Sequence, residues 1–594
     1  MATEKEDATY KTIEEGSAVM VYPNDQESTV FYNPVQVQNR DLSILMISLF
    51  AKRKRHRALI KEKTKELRKK GITKKDELEQ EIRAYKETLS DTKLEDGALK
   101  EEGKGIHILD ALAASGLRSI RYWKEIPNTI SHITINDLDD AAVERAGANL
   151  EKNSLTDVQT KERFGYGIRI LHGDATHELY TSRRSITVKK KFQQQQCYDV
   201  IDLDPYGSAA PFLDGAVQAI SNGGMLNVTC TDMVALGGSH PETCFGRYNG
   251  SLPLQRTPYL QEVALRILLY SLAMTAAKYG RTIRPILSVG MDFYVRVFVE
   301  VYDDKAGVSD LSLKIGNIYQ STHCASFYTM PQGKMAGKRH VYQATRIEPS
   351  RCNETGAPFK VGGPIWLGPM HDTEVVKQAL SCLTQQQKDD DNKMILKTKN
   401  RLLGLLTSAS EELSDVPLYY TLPDLSRTLS VTTPPMNQFR SALQNAGYRV
   451  SGYHKEPHAV KTDAPNSVVW DIMRVWCQTH KKEESTTTKA SKKKKRKLQK
   501  KGGDITTSEA TTTTTTTTTD TSTEPKRLSA SEKILATPPS IEVNFSINSN
   551  SNNAKKPDKD QKIVRFPMNP QKNWGPKPRA VGTKRKQEED TKND

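Results

Sequence analysis

The chain has 594 residues and carries 87 Lys+Arg against 71 Asp+Glu, a formal net charge of +16. That length predicts two to four domains, and a mean hydropathy of -0.62 predicts that part of the chain stays unfolded. Without a long apolar run, a secretory leader in MATEKEDATY or a Cys-x-x-Cys among its seven cysteines, it reads as a soluble intracellular protein.

Residues 1–27 read as a polar extension. Apolar periodicity begins at 30–50 (VFYNPVQVQNRDLSILMISLF), where Asp41 is placed to cap a helix. Residues 51–70 hold 11 basic and 2 acidic side chains, and 51–104 reads as an exposed helical insertion with i,i+4 ion pairs. From 105 to about 300, short apolar runs alternate with amphipathic segments. Strands are expected at Ile106–Leu109, Ile133–Ile135, Ile168–Leu171, Val200–Leu203, Met225–Val228 and Phe293–Val301. Such alternation predicts a parallel sheet covered by helices on both faces. A second, smaller α+β region follows over 311–480.

Residues 481–594 carry 26 Lys+Arg and 14 Asp+Glu, a basic run from Lys492 to Lys497 and nine consecutive threonines, Thr511–Thr519. This composition cannot bury enough apolar surface to offset ordering, so a disordered tail is expected. The stretch RFPMNPQKNWGPK at 565–577 is set apart as a candidate docking motif. Without the two basic segments the remaining body has a net charge of -5. The positive charge is therefore local, and suited to a polyanion.

Chemistry gathers where strands are expected to end. Ile106–Leu109 runs into Asp110 and then ALAASGLRSIRYW, an acid and small residues before a helix, which is how a doubly wound sheet opens a cofactor crevice. Asp137 stands 27 residues on, at the tip of the second strand, where a carboxylate can accept from two ribose hydroxyls. Asp174, followed by Ala175, ends the third and suits an adenine amino group. Each alone reads as a helix cap; the three in order point to S-adenosylmethionine. The fourth strand delivers Asp204-Pro205-Tyr206. An exocyclic amine is planar and a poor nucleophile, because its lone pair is delocalised. The Asp204 carboxylate and the Pro205 carbonyl can accept its two N–H bonds, and Tyr206 can stack on the base.

The segments VFYNPVQVQNRDLS, DALAASGLRSIRYW, NDLDD, GDAT, DLDPYGSAAPFLDGA, TDMVALGG, GGPIWLGPMHD and HKEPHAVKTDAP resemble the tRNA (guanine-26 N2)-dimethyltransferase family over roughly residues 28–480. The resemblance implies a Rossmann-like methyltransferase domain (28–310), a family-specific C-terminal domain (311–480) and two methyl transfers to a guanosine N2. It implies cofactor contacts by Arg40, Arg118, Asp137, Asp174 and Ala175. Asp204 would be catalytic, with Phe31 and Tyr206 on either side of the target base. Some members resemble a four-cysteine zinc site here; this chain has Ser321 and Cys324, then Cys352 and Thr355, with His323 as a substitute ligand. A closed zinc site is not expected, and no metal is called for.

The partner implied is tRNA, bound by a monomer away from membranes, with residues 51–70 gripping the RNA backbone. Lys492–Lys497 and Lys584-Arg585-Lys586 fit nuclear addresses, with mitochondrion or cytoplasm as alternatives. Two other readings are a methyltransferase of protein amides or DNA amines, and an inactive RNA-binding protein on the same fold.

Overall fold

The structure, a computed structural model, describes residues 10–23, 32–72, 74–89, 105–126, 129–162, 165–183, 197–336, 341–345, 349–385, 394–480, 528–547 and 563–569. A hairpin, β1 (Tyr10–Glu15) and β2 (Ala18–Pro23), precedes helices α1 (Val37–Lys69) and α2 (Lys75–Thr88). Then come β3 (Ile106–Asp110), α3 (Leu117–Glu125), β4 (Ile130–Asp137), α4 (Asp140–Lys152), β5 (Gly167–His172) and α5 (Ala175–Thr181). β6 (Tyr198–Leu203), α6 (Ala210–Ala219), β7 (Ile220–Cys230), α7 (Leu260–Ala277), β8 (Arg281–Met291) and β9 (Tyr294–Asp303) complete the domain.

Seven strands form one sheet in the order β5-β4-β3-β6-β7-β9-β8. Neighbours run parallel except β9, which is antiparallel to both β7 and β8. Successive β-α units turn one way from β3 and the other way from β6, so the crevice opens at the carboxyl ends of these two strands. One face packs on α6 and α7 through Leu213, Val217, Leu268 and Leu272; the other packs on α1, α3 and α4 through Leu45, Ile120 and Leu150. Among the described residues, α7 is the one helix long and apolar enough to cross a bilayer, yet it is a core helix, lying against β8 and strand Phe359–Trp366.

All six expected strands form. The sequence reading missed β8, whose Pro285 argues against a strand. Proline is tolerated there because β8 is at the sheet edge and irregular between Pro285 and Leu287. It also missed β1 and β2: the polar extension of 1–27 contains a hairpin with Ala18 and Met20 buried and Glu15 fully enclosed.

Residues 315–480 contribute a sheet of Ile315–Ser321, Phe327–Pro331 and Phe359–Trp366, and another of Tyr420–Thr421, Val450–Tyr453 and Glu456–Thr462. This region has its own core, around Tyr420, Phe439 and Trp470, and also packs on the first domain. Ile318, Ile365 and Trp366 join the core of α6 and α7, and helices Thr373–Gln385 and Lys399–Glu411 pack on the α1 side. The two stretches GGPIWLGPMHD and HKEPHAVKTDAP meet at the edge of the large sheet. His371 Nδ1 accepts from Ser288 N (3.3 Å) and His454 Nε2 from Gly290 N (3.0 Å), capping the outward N–H groups of β8. His454 Nδ1 donates to buried Glu412 (2.9 Å), whose charge Lys461 Nζ faces at 3.4 Å.

Two further expectations change. In the 481–594 tail, residues 528–547 and 563–569 are packed on the body. Helix Ala530–Ala536 is closed by a Ser529–Glu532 capping box, Ile534 is fully buried, Ser540 donates to Asp471, and Arg565 pairs with Glu411 (2.6 Å). The sequence cue was a short apolar helix in polar surroundings, outweighed by the average composition. The rest of the tail, with 570–577 of the docking motif, lies outside the described residues.

The basic stretch 51–70 is not near the site either. It continues α1, whose first turns line the crevice, and a helix advances about 1.5 Å per residue. Arg53 and Arg57 pair with Glu300 (3.3 and 3.1 Å) and Lys54 with Asp199, at the amino edge of the sheet. Lys61 to Lys69 lie beyond that edge, about 30–43 Å along the helix from Arg40. Proximity in sequence becomes separation in space.

Candidate active site

The crevice is a cleft of about 180 Å³ whose walls include Tyr32, Gln36, Arg40, Asp110, Ala113–Ser115, Arg118, Asp204–Tyr206, Thr231 and Phe293. Five chain segments build it. After β3 the chain turns through Ala111–Ser115 to Gly116, just before α3; its φ of +73° favours glycine, and an added Cβ would crowd the Ala146 Cβ at 3.3 Å. Asn136 stitches the loops together: its Nδ2 donates to Ala111 O (2.9 Å) and Gly173 O (3.1 Å), while its carbonyl accepts from Ala113 N (2.9 Å).

Asp204 stands at the end of β6 with its side chain 16% exposed. It accepts from Arg118 Nη2 and from Asn39 Nδ2 (3.3 Å). Below it Asp202, with no exposure, accepts from Arg118, from Arg296 (2.8 Å), from the Tyr122 hydroxyl (2.8 Å) and from Asn227. Burial alone would raise the Asp202 pKa; Arg118 and Arg296 reverse this and hold it well below the usual carboxylate range. The same acids, Asp202 first, raise the Arg118 pKa against the opposing effect of burial. Asp110 is pushed up to about 7, chiefly by burial, with Arg118 opposing. Three carboxylates thus face two guanidiniums, and a proton on Asp110 balances the set.

Arg40 lines the cleft but is held from outside it. Its Nε and Nη2 donate to the Glu15 carboxylate (2.6 and 2.5 Å), and its guanidinium lies 5.5 Å from the Tyr32 ring. Glu15 in turn accepts from Arg121 (2.8 Å), which also pairs with Asp41 and Glu125. Buried arginines need such partners.

The structure therefore brings Arg40, Arg118, Asp204, Pro205 and Tyr206 to one cleft. Asp137, at the tip of β4, accepts from Ala114 N (2.7 Å) in the cleft wall and from Asp139 N (3.0 Å). Asp174 and Ala175 lie one strand further out and do not line the cleft; Asp174 caps α5, accepting from Thr176 N (2.7 Å). Phe31 lies outside the described residues. Sequence reasoning missed Glu15, Asn39, Asp202, Arg296 and Phe293 as site residues. Asp202 had a signal, two residues before Asp204 on one strand and hence on the same face; Glu15 had none.

The four positions of the degenerate zinc site converge. The Cys324 and Cys352 sulfurs are 3.6 Å apart, and the Cys324 thiol donates to Ser321 Oγ (3.3 Å). Hydroxyls thus stand among the thiols, while His323 is exposed. Among the described residues one set, His371, Glu412 and His454, brings three ligand-type atoms within 4.8 Å. The Nδ1 proton of His454 and the ammonium of Lys461 are already directed at Glu412.

The chain was compared with known families, sequences and structures. The family of N2,N2-dimethylguanosine tRNA methyltransferases matches residues 8–474. A tRNA (guanine(26)-N(2))-dimethyltransferase of Schizosaccharomyces pombe is 36% identical over 581 residues, covering 95% of this chain and 92% of that protein. The Homo sapiens protein of the same name is 36% identical over 595 residues, covering 96% and 77%. A mitochondrial form from Saccharomyces cerevisiae is 31% identical over 596 residues, covering 96% and 92%. Trm1 of Pyrococcus horikoshii, solved with S-adenosyl-L-methionine, superposes with a TM-score of 0.56 at 26% identity, over 77% of this chain and 98% of that one. By sequence along its length and by the fold of its core, the chain belongs to the N2,N2-dimethylguanosine tRNA methyltransferase family.

Proposed function

We propose that the chain methylates the exocyclic N2 amine of guanosine 26 in tRNA, twice, to give N2,N2-dimethylguanosine. The observation that carries the reading is the Asp204-Pro205-Tyr206 turn at the mouth of the crevice, with Asp204 fixed by Arg118 and Asn39. S-adenosylmethionine supplies an electrophilic methyl group. The residues present fit it: the Ala113–Ser115 wall is small, and Asp137 ends the adjacent strand with an acceptor for ribose hydroxyls. Arg40 and Arg118 are the guanidiniums that would meet the methionine carboxylate, and Asp174 with Ala175 would meet the adenine.

Asp204 and the Pro205 carbonyl take the amine's N–H bonds and localise its lone pair. The carboxylate then stabilises the positive charge that develops on nitrogen. Tyr206 supports the base, with Phe31 opposite; Tyr32 and Phe293 are aromatics of the cleft wall. Asp204 takes the proton that the methylated nitrogen loses as the sulfur–methyl bond breaks; one N–H then remains, so a single acceptor suffices for the second transfer. We assign the protein to the nucleus, on the basic runs at 492–497 and 584–586. The test is mass spectrometry of tRNA nucleosides after incubation with protein and donor. Asp204→Asn should lower kcat by about 10² to 10³ and leave donor affinity within a few fold. No N2-methylated guanosine from the wild-type protein would refute the proposal.

A further inference from the structure

Residues 231–256 leave the end of β7 and form a lip bound to the catalytic turn. Thr231 Oγ1 accepts from Gly207 N (2.8 Å), and Thr231 N donates to Gly207 O (2.8 Å). The Tyr248 hydroxyl donates to Asp232 (2.9 Å) and meets Ser208 Oγ at 2.7 Å, two residues beyond Tyr206. Arg247 pairs with the same Asp232 (3.3 Å). Lip and turn are thus one hydrogen-bonded piece.

Its outer surface sets exposed apolar side chains among polar ones. Val234 is 57% exposed, Phe245 53% and Leu252 41%, and on the turn to which the lip is bonded Tyr206 is 52% exposed. Single exposed apolar side chains need no explanation, but a group bordering an active site marks a contact surface. Cations flank it. The Arg247 side chain is half exposed, and Arg256 is exposed with no acidic partner among the described residues. Arg256 also holds a left-handed backbone, φ +57°, which a non-glycine residue rarely adopts.

We propose that this lip binds the RNA flanking the target nucleoside, with the Phe245 ring stacked on an adjacent unpaired base and Arg247 and Arg256 on the phosphates. The inference rests on the RNA-substrate reading above. Aromatic faces beside cations are the chemistry that holds splayed nucleotides, because every base offers a π-face and every link a charge.

The test uses the full chain and a tRNA transcript. Phe245→Ala should weaken tRNA binding and raise its KM roughly tenfold, leaving donor affinity unchanged. Phe245→Tyr keeps a stacking ring and should stay close to wild type. Arg256→Gly suits the left-handed backbone, so strain does not confuse its effect; the slope of log K against log salt should fall by about one. Unchanged tRNA affinity in both Phe245→Ala and Arg256→Gly would overturn the proposal. So would parallel loss of donor affinity, or a change of oligomeric state in Phe245→Ala with tRNA affinity kept. A wild-type protein that methylates no tRNA would refute the underlying reading instead.

Discussion

Replacing Glu15 with alanine should loosen the cleft from behind. Its carboxylate is fully buried, and its partners are Arg40 and Arg121. Burial alone would raise its pKa; the two guanidiniums, Arg40 first, hold it at about 2 against an ordinary 4.5. That difference corresponds to about 3 kcal/mol in favour of the ionised folded state. Removing one partner of a buried ion pair costs about 3–5 kcal/mol, because the other charge stays buried. Arg121 retains Asp41 and Glu125, so the stranded charge is Arg40, and a loss of about 3 kcal/mol is expected. Urea unfolding at pH 7 measures it. The folded pKa is the lower one, so the stabilisation is complete above about pH 4.5 and disappears as pH falls through about 2. The gap between wild type and Glu15→Gln should therefore close over that window. Replacing Arg40 as well, with methionine, should restore much of the stability. A loss under about 1 kcal/mol, or a gap that does not change with pH, would refute the reasoning.

Asp110→Asn should act in the opposite sense. Its folded pKa of about 7 exceeds the ordinary 3.8, so the wild-type residue costs stability progressively from about pH 4 to 7. Asparagine should flatten thermal stability over that range and add up to about 4 kcal/mol at pH 8. Neutralising Lys61, Lys65, Arg68 and Lys69 together should leave kcat within about twofold, since those charges lie several Debye lengths from the cleft. Steady-state kinetics at physiological salt decides this. Ile534→Ala should cost about 2–4 kcal/mol, read as a lower unfolding temperature and faster proteolysis of the 528–547 segment.

The large sheet was legible because its inner strands, buried on both faces, are near-continuous apolar runs that end in acids. Asp137 and Asp204 could be placed on strand tips by counting alone. Glu15 could not, because a hairpin in polar sequence carries no periodic signal, and its charge is explained only by arginines 25 and 106 residues away. Asp174 was placed at a strand end by the same counting, and its role as the cap of α5 comes from the hydrogen bond to Thr176 N. Residues 51–70 show that distance along a chain is a poor guide when a long helix intervenes. The 528–547 segment was hidden by average composition, although a capping box, the buried Ile534 and the packed Leu535, Ile541, Val543 and Phe545 seat it.

The docking of that segment alters the topology of the basic run before it. The chain leaves the described body at residue 480 and is fixed to it again at 528, so the 47 residues between are tethered at both ends. Closure entropy grows only as the logarithm of length, and doubling such a loop costs about 0.6 kcal/mol. Residues can therefore be added or removed between the anchors at almost no cost to the catalytic body. The basic run at Lys492–Lys497 is thus tied to the body on both sides, not carried on an open tail.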